Sequence, residues 1–125
     1  MLGNHPVHPV LLAKDLAAAR HFYHDRVGLE IIVERGDDAI EFRTGSTKIT
    51  VSKSTTGTAD SQTQLAWEVD DLAAELDELR ARGVKIEDYD LPGLRTENGI
   101  ADIGFALMAW IVDPGSNALA IMEHK

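Results

Sequence analysis

The groups in this chain that could do chemistry carry oxygen and nitrogen. The sequence has no cysteine, which excludes a disulfide framework, a thiolate metal site and a cysteine nucleophile. Among the titratable side chains in predicted strands, two are candidates for such chemistry, His8 near the start of the chain and Glu68 near its middle. An imidazole or a carboxylate held beside a substrate can act as a general base, so both are candidate catalytic or ligand-contacting residues. The alternative for His8 is a structural histidine.

Other ionisable groups have simpler interpretations. His21 and His24 are three residues apart on a predicted helix and could chelate a surface ion, but we interpret them as part of a solvated face. The acidic pairs Asp37–Asp38 and Asp70–Asp71 fall at a turn and at a helix start. We interpret them as turn and cap residues rather than as catalytic pairs.

A repeated strand and helix must position the candidate residues. A short apolar strand runs twice into Asp-Leu-Ala-Ala, at Asp15–Ala18 and at Asp71–Ala74, and each following helix ends at a glycine, Gly28 or Gly83. The two helix starts are 56 positions apart and the two ends 55. In a chain of 125 residues this repetition predicts two copies of one supersecondary unit, each too small to cover its own sheet.

Each copy is predicted as a strand, a helix and three further strands. The predicted strands are Val7–Ala13, Leu29–Glu34, Ala39–Arg43 and Thr47–Lys53, then Gln64–Val69, Val84–Tyr89, Phe105–Val112 and Ala118–Glu123. The polar stretch 54–61 is predicted as a linker between module one, about 5–54, and module two, about 62–125. Helices on one face of a largely antiparallel sheet make an α+β fold in a single domain.

Composition narrows the class of partner. Twelve basic and twenty-one acidic residues leave a net charge of −9, and no basic run is long enough to favour a nucleic acid partner. The longest apolar run, Phe105–Val112, is far shorter than the roughly 20 residues that cross a bilayer, and no signal pattern opens the chain. We therefore expect a cytoplasmic protein with no membrane partner. The absence of a phosphate-binding glycine loop argues against a nucleotide cofactor.

Four features follow one another along the chain, namely the Asp-Leu helix starts, the pair Phe22–Tyr23, the helix end Gly28–Leu29 and the turn Asp113–Asn117. Taken in order, they resemble the vicinal oxygen chelate superfamily, which contains glyoxalase I, bleomycin-resistance proteins, fosfomycin-resistance enzymes and extradiol dioxygenases. The resemblance spans essentially the whole chain. It implies two βαβββ modules that form an incomplete eight-stranded barrel-like sheet with helices on the convex face. It also implies a ligand site on the concave side, often at a dimer interface.

The resemblance further implies where a metal ion would bind, with one ligand from each of four strands. The corresponding positions are His8, Gln64, Thr50 or Ser52, and Ala120. Only His8 is a usual ligand. A divalent ion in a site of nitrogen and oxygen atoms needs carboxylates to balance its charge, and the family's proton-moving carboxylate is missing as well. We therefore expect no metal or other cofactor. A divalent ion remains the alternative if the register shifts or Glu68 takes part.

Strand alternation predicts which side chains share the concave face. They are His8, Val10, Leu12, Thr50, Ser52, Gln64, Ala66, Glu68, Ala118, Ala120 and Met122. The side chains predicted to face the helices are Leu65, Trp67, Val69, Leu119 and Ile121. A concave face of small and apolar groups suits an organic molecule better than a metal ion, although Ala120 and Met122 could simply pack.

Two features of the second module are further candidates for ligand contact. Alternation places Trp110 toward the cavity, where it would stack on a flat ligand or else pack as a core ring. The segment Tyr89–Phe105 carries Arg95 and Glu97 among glycines and is predicted as a lid that supplies a charge partner, with an ordinary surface loop as the alternative.

The sequence thus predicts a protein that binds a small organic molecule, comparable to the bleomycin-resistance proteins, and that forms a homodimer. The predicted ligand-binding residues are His8, Thr50, Ser52, Gln64, Glu68, Arg95, Trp110, Ala120 and Met122. The second hypothesis is a lyase, isomerase or dioxygenase, either metal-dependent through a displaced site or metal-free with His8 or Glu68 as base. The third is an interaction module with a filled cavity.

Overall fold

A computed structural model describes residues 1–55 and 62–125. Most of the predicted linker, residues 56–61, lies outside the described residues. Among the described residues, no helix combines the length and the apolarity that a membrane crossing requires.

The first module contains one helix and a four-stranded sheet. Its elements are β1 (Val10–Ala13), α1 (Leu16–Arg20) with a π-helical continuation (His21–Arg26), β2 (Glu30–Arg35), β3 (Ala39–Thr44) and β4 (Thr47–Lys53). The strand order is β1-β4-β3-β2, in which β1 runs parallel to β4 and the other neighbours are antiparallel.

The second module repeats this arrangement. Its elements are β5 (Thr63–Glu68), α2 (Leu72–Ala81), β6 (Asp90–Leu91), β7 (Leu94–Arg95), β8 (Ala101–Asp102), β9 (Ala106–Val112) and β10 (Ala118–His124). The order of the main sheet is β5-β10-β9-β8, with β5 parallel to β10, and β6 and β7 form a separate hairpin. Two repeated modules with open four-stranded sheets confirm the predicted α+β fold.

One predicted strand of the second module is wrong. Residues 84–89 are not a strand, and the short β8 is the edge strand beside β9. Val84 and Ile86 are buried, which produced the strand-like alternation, and Glu87 N–H donates to the carbonyl oxygen of Trp110 in β9. The chain then forms the β6–β7 hairpin and joins the sheet only at β8.

Both helices begin and end as the repeat predicts. The Asp15 carboxylate accepts a hydrogen bond of 3.1 Å from Ala18 N–H, and Asp71 caps α2 in the same way. Gly28 and Gly83 follow the two helices at φ +86° and +82°, in the left-handed region that favours glycine.

The helices of both modules cover one face of their sheets, where the core lies. The largest fully buried core side chains are Tyr23, Phe42, Ile49, Leu72, Leu76, Ile111 and Leu119. The residues predicted to face the helices, Leu65, Trp67, Val69, Leu119 and Ile121, all belong to this cluster or pack against it. The opposite face carries no helix among the described residues, and we call it the helix-free face.

A buried polar network joins the two modules. Tyr23 Oη donates a hydrogen bond of 2.5 Å to Asp113 Oδ2, and Asn117 Nδ2 donates to the same oxygen and to the carbonyl oxygen of Leu12. Asp113 Oδ1 accepts from the backbone N–H groups of Gly115 and Asn117. The turn that contributed to the family resemblance therefore holds the two modules together, and we call Tyr23, Asp113 and Asn117 the clamp between the modules.

Candidate functional site

The helix-free face of the first sheet is open. Val10 and Leu12 on β1 are 56% and 38% exposed, although both are apolar. Beside them on β4 lie the half-buried hydroxyl residues Thr50 and Ser52, in register with Val10 and Leu12 respectively. This arrangement offers an apolar strip beside two hydrogen-bonding groups, which suits contact with an organic molecule.

The helix-free face of the second sheet is filled by its own chain. Ala120 has no exposed surface and clusters with Ala101 and Trp110. The Trp110 ring, 9% exposed, meets the Tyr89 ring edge-on with the ring centroids 5.6 Å apart. Trp110 Nε1 donates to Thr63 Oγ1 at 3.2 Å. Trp110 therefore packs as a core ring, and a ligand contact at this ring stays a prediction.

The predicted lid packs on this second face and is tied down by polar contacts. Tyr89 N–H donates to Thr96 Oγ1 at 2.8 Å, and Gly99 N–H donates to Asp88 Oδ1 at 3.1 Å. Arg95 is exposed and pairs with Asp90 across the β6–β7 hairpin at 3.2 Å. The segment thus covers the second sheet, and the Arg95 side chain is paired with Asp90 within the β6–β7 hairpin.

The donor set at the family's four metal positions does not fit a divalent ion. Ala120 offers no donor, and Gln64 is exposed with its amide donating to the carbonyl oxygen of Gln62 at 3.0 Å. Thr50 and Ser52 are neutral hydroxyls, so His8 would stand without a carboxylate. Within residues 1–55 and 62–125 no group of three or more His, Cys, Asp or Glu side chains comes together.

His8 lies in a pocket of about 340 Å³ at one end of the open face. The residues that line this pocket, called the His8 pocket below, are Pro6, Val7, His8, Ile32, Glu41, Arg43, Ser46, Thr47 and Lys48. Sequence reasoning singled out only His8 among them. Strand alternation was the signal that could have found others, because it places Glu41 and Arg43 on the same face of β3, and Lys48 on that face of β4.

A buried carboxylate organises the charges of the His8 pocket. Glu41 is only 6% exposed and contacts Arg35 Nη2 at 2.6 Å and Lys48 Nζ at 2.7 Å. Hydrogen bonds from Lys48 and Arg35 hold the pKa of Glu41 below its usual value. Glu41 therefore stays ionised, with both oxygens engaged by cations.

A second cleft, of about 550 Å³, lies between the β3–β4 turn and β5. Glu68 and Met122 line it and face each other in register. Glu68 is exposed, and its Oε1 lies 2.7 Å from His124 Nε2. Trp67 Nε1 donates to Thr44 Oγ1 at 2.9 Å and closes one side of the cleft.

The structure thus distributes the predicted site residues over different places. Thr50 and Ser52 share the open face, with His8 in the pocket at its end. Gln64, Glu68 and Met122 lie along β5 and β10, Trp110 and Ala120 lie beneath the loop, and Arg95 lies on the hairpin. Their roles in ligand binding, and the roles of His8 and Glu68 as bases, stay predictions.

Residues 5–119 match a family model described as the Glyoxalase/Bleomycin resistance protein/Dioxygenase superfamily. A comparison with curated proteins found no match.

Three similar solved structures illustrate the shared fold. A glyoxalase family protein from Enterococcus faecalis is 21% identical, with a TM-score of 0.73 over 98% of this chain and 100% of that one. A lactoylglutathione lyase from Agrobacterium tumefaciens is 24% identical, with a TM-score of 0.66 over 95% and 92%. The fosfomycin resistance protein FosX from Listeria monocytogenes is 13% identical, with a TM-score of 0.68 over 97% and 91%. At these identities the likeness concerns the fold.

Proposed function

Because the chain belongs to the Glyoxalase/Bleomycin resistance protein/Dioxygenase superfamily, we propose that it binds a small organic molecule on the helix-free face of its first sheet. The observation that carries this proposal is the difference between the two helix-free faces. The first leaves Val10 and Leu12 exposed, whereas the second is covered by Tyr89 and its loop. A ligand can therefore reach the first face without displacing part of the chain.

Binding without a metal ion is part of the proposal. Neutral hydroxyls, an amide and an alanine stand at three of the family's four ligand positions. These groups supply hydrogen bonds and apolar contact rather than the negative charge that a divalent ion requires. We therefore place the protein with family members that hold a molecule without converting it.

Pairing of two copies is also part of the proposal. A single chain leaves Val10, Leu12 and Ile32 on an open surface. A second copy placed over this surface would bury apolar area and turn an open face into an enclosed cavity. Light scattering after size-exclusion chromatography should give twice the mass of one chain, 13.7 kDa. A monomer that still binds ligand would contradict a shared cavity.

Binding can be tested with the neutral fluorescent probe N-phenyl-1-naphthylamine. We expect saturable enhancement of probe fluorescence by the folded protein, and weaker binding to Val10→Asn, which places a polar group on the open face. Leu91→Asn is the matched control, because Leu91 is 57% exposed on the β6–β7 hairpin, about as exposed as Val10. Equal loss of binding in both variants, or no binding at all, would contradict the proposed location.

The metal-free character has its own test. The untagged protein is incubated with Zn²⁺, Ni²⁺, Mn²⁺ or Fe²⁺, freed of excess ion and analysed for metal content. We expect no retained ion and unchanged probe affinity. About one tight ion per chain, lost in His8→Ala, would overturn this part of the proposal and favour the enzyme hypothesis.

A further inference from the structure

The charges of the His8 pocket indicate what kind of molecule the open face takes. Resting on the proposed function, we infer that the ligand carries an oxyanion, such as a carboxylate or a phosphate-type group, and that this group binds in the His8 pocket. Arg43 and Lys48 are the cations that would contact it. The apolar remainder of the ligand lies along Val10 and Leu12.

Hydrogen-bond donors dominate the lining of the pocket. Five of the nine lining residues carry side-chain donors, namely His8, Arg43, Ser46, Thr47 and Lys48. Glu41 is the lining side chain that only accepts when ionised. A ligand group rich in acceptors fits such a wall, and charge-assisted bonds to an oxyanion are the strong ones.

The carboxylate of Glu41 is not available to attract a cation. Its Oε2 contacts Arg35 and its Oε1 contacts Lys48, at 2.6 and 2.7 Å respectively. Glu41 is thus a positioning residue that fixes Lys48 at the pocket. Arg43 Nε has a looser contact, 3.7 Å from Glu30 Oε2, with both side chains half exposed or more, so its guanidinium can turn to a ligand.

The net charge of the pocket lining is opposite in sign to the net charge of the whole chain. The protein carries a net charge of −9, which repels anions on average. Arg43 and Lys48 against Glu41 nevertheless leave the pocket lining with a net charge of +1 when His8 is neutral. A locally positive pocket in an acidic protein favours an anionic group at this place over the rest of the surface.

The pocket is continuous with the open face. Glu41 lies opposite Thr50 on neighbouring strands, and Thr50 lies opposite Val10. His8 precedes Val10 by two residues, so an extended chain directs both side chains to one face. A single molecule can therefore place its charged end in the pocket and its apolar part on β1.

Two probes that differ in one charged group test the inference. 8-Anilinonaphthalene-1-sulfonate has the skeleton of N-phenyl-1-naphthylamine plus a sulfonate. At low salt we expect the sulfonate probe to bind about tenfold more tightly, as one charge-assisted contact predicts. Arg43→Gln and Lys48→Gln should each remove most of this advantage, which is measured for each variant as the ratio of its affinities for the two probes. Lys85→Gln is the control, because Lys85 is highly exposed on the second module.

The outcomes separate this inference from the proposed function. If neither probe binds, the proposed function fails. If the neutral probe binds but the sulfonate gives no advantage, or an advantage that survives both Gln variants, only the oxyanion inference is overturned. Displacement by 1-naphthoate or by 1-naphthyl phosphate then shows whether a carboxylate or a phosphate group is preferred, and displacement by neither also overturns it. Circular dichroism of each variant verifies its fold.

Discussion

The clamp between the modules gives a sharp prediction for Tyr23→Phe. This substitution removes one hydroxyl from a side chain with no exposed surface and leaves its ring contacts intact. The lost hydrogen bond is the 2.5 Å contact to the carboxylate of Asp113, which is itself buried. Asp113 would keep three N–H donors, two from Asn117 and one from Gly115.

The expected cost follows from the type of bond. A hydrogen bond to a charged group contributes about 1.5 to 3 kcal/mol, and Tyr23→Phe should lower the free energy of unfolding by that amount. With an unfolding entropy of roughly 2.1 cal/mol/K per residue, this loss lowers Tm by about 6 to 11 °C for 125 residues.

Urea unfolding followed by far-UV circular dichroism measures this loss, provided that the m-value is unchanged. Tyr89→Phe is the matched control, because Tyr89 is only half-buried and should lose about 0.5 kcal/mol or less. If the two variants lose equal stability, or if Tyr23→Phe loses nothing, the account of the clamp is wrong.

The same variant has a signature at high pH. Burial, and then the Asp113 carboxylate, raise the pKa of Tyr23 above its usual value of 10. A raised pKa gives stability that is present below pH 10 and is lost at higher pH, since the unfolded chain releases the proton first. The difference between wild type and Tyr23→Phe should therefore shrink by about 1.4 kcal/mol per pH unit above 10. A constant difference would contradict the assignment.

Three further perturbations test other parts of the structure. Gly99→Ala should lower the free energy of unfolding in urea by about 1 to 3 kcal/mol more than Gly36→Ala does. The reason is that a Cβ at Gly99 would lie 2.5 Å from Ile86 Cγ2, whereas a Cβ at Gly36 would lie in open space. Equal losses of stability would argue against the contact with Ile86. Ala120→Leu should lower the free energy of unfolding by about 1 to 3 kcal/mol, since Ala120 has no exposed surface to accommodate a larger side chain. An unchanged midpoint of urea unfolding would mean that the loop around Tyr89 does not pack tightly over Ala120. As the pH falls below about 4.3, the wild type should lose stability faster than Glu41→Gln. Lys48 and Arg35 keep the pKa of Glu41 low in the folded protein, and the stability that this carboxylate contributes disappears when it is protonated. If the free energy of unfolding falls equally with pH in both proteins, the contact of Glu41 with these cations is wrong.

Most of the fold could be predicted from local signals in the sequence. The caps at Asp15 and Asp71 and the glycines at Gly28 and Gly83 have fixed local geometry, so their repetition revealed two modules without any tertiary information. Side-chain alternation along a strand is also a local property, so it predicted which residues face the helices. The strand at 84–89 failed because Val84 and Ile86 are buried without a ladder of hydrogen bonds, and periodicity reports burial rather than pairing.

The candidate site was harder to predict because it depends on contacts between distant segments. Ala120 was expected to line a cavity, but Tyr89, far away in sequence, packs over its cluster. The charges of the His8 pocket were missed because residues such as Glu41 and Lys48 look like ordinary polar positions of exposed strands. Their pairing across β3 and β4 appears only when the register is known.

The most direct test of the central claim is to locate the bound probe by ¹H–¹⁵N correlation spectroscopy during titration with N-phenyl-1-naphthylamine. We predict that the largest shift changes fall on the amides of β1 and β4, from Val10 to Leu12 and from Thr50 to Ser52. Changes confined to the cleft around Trp67 and Met122, or to residues that pack against the helices, would contradict binding on the open face of the first sheet.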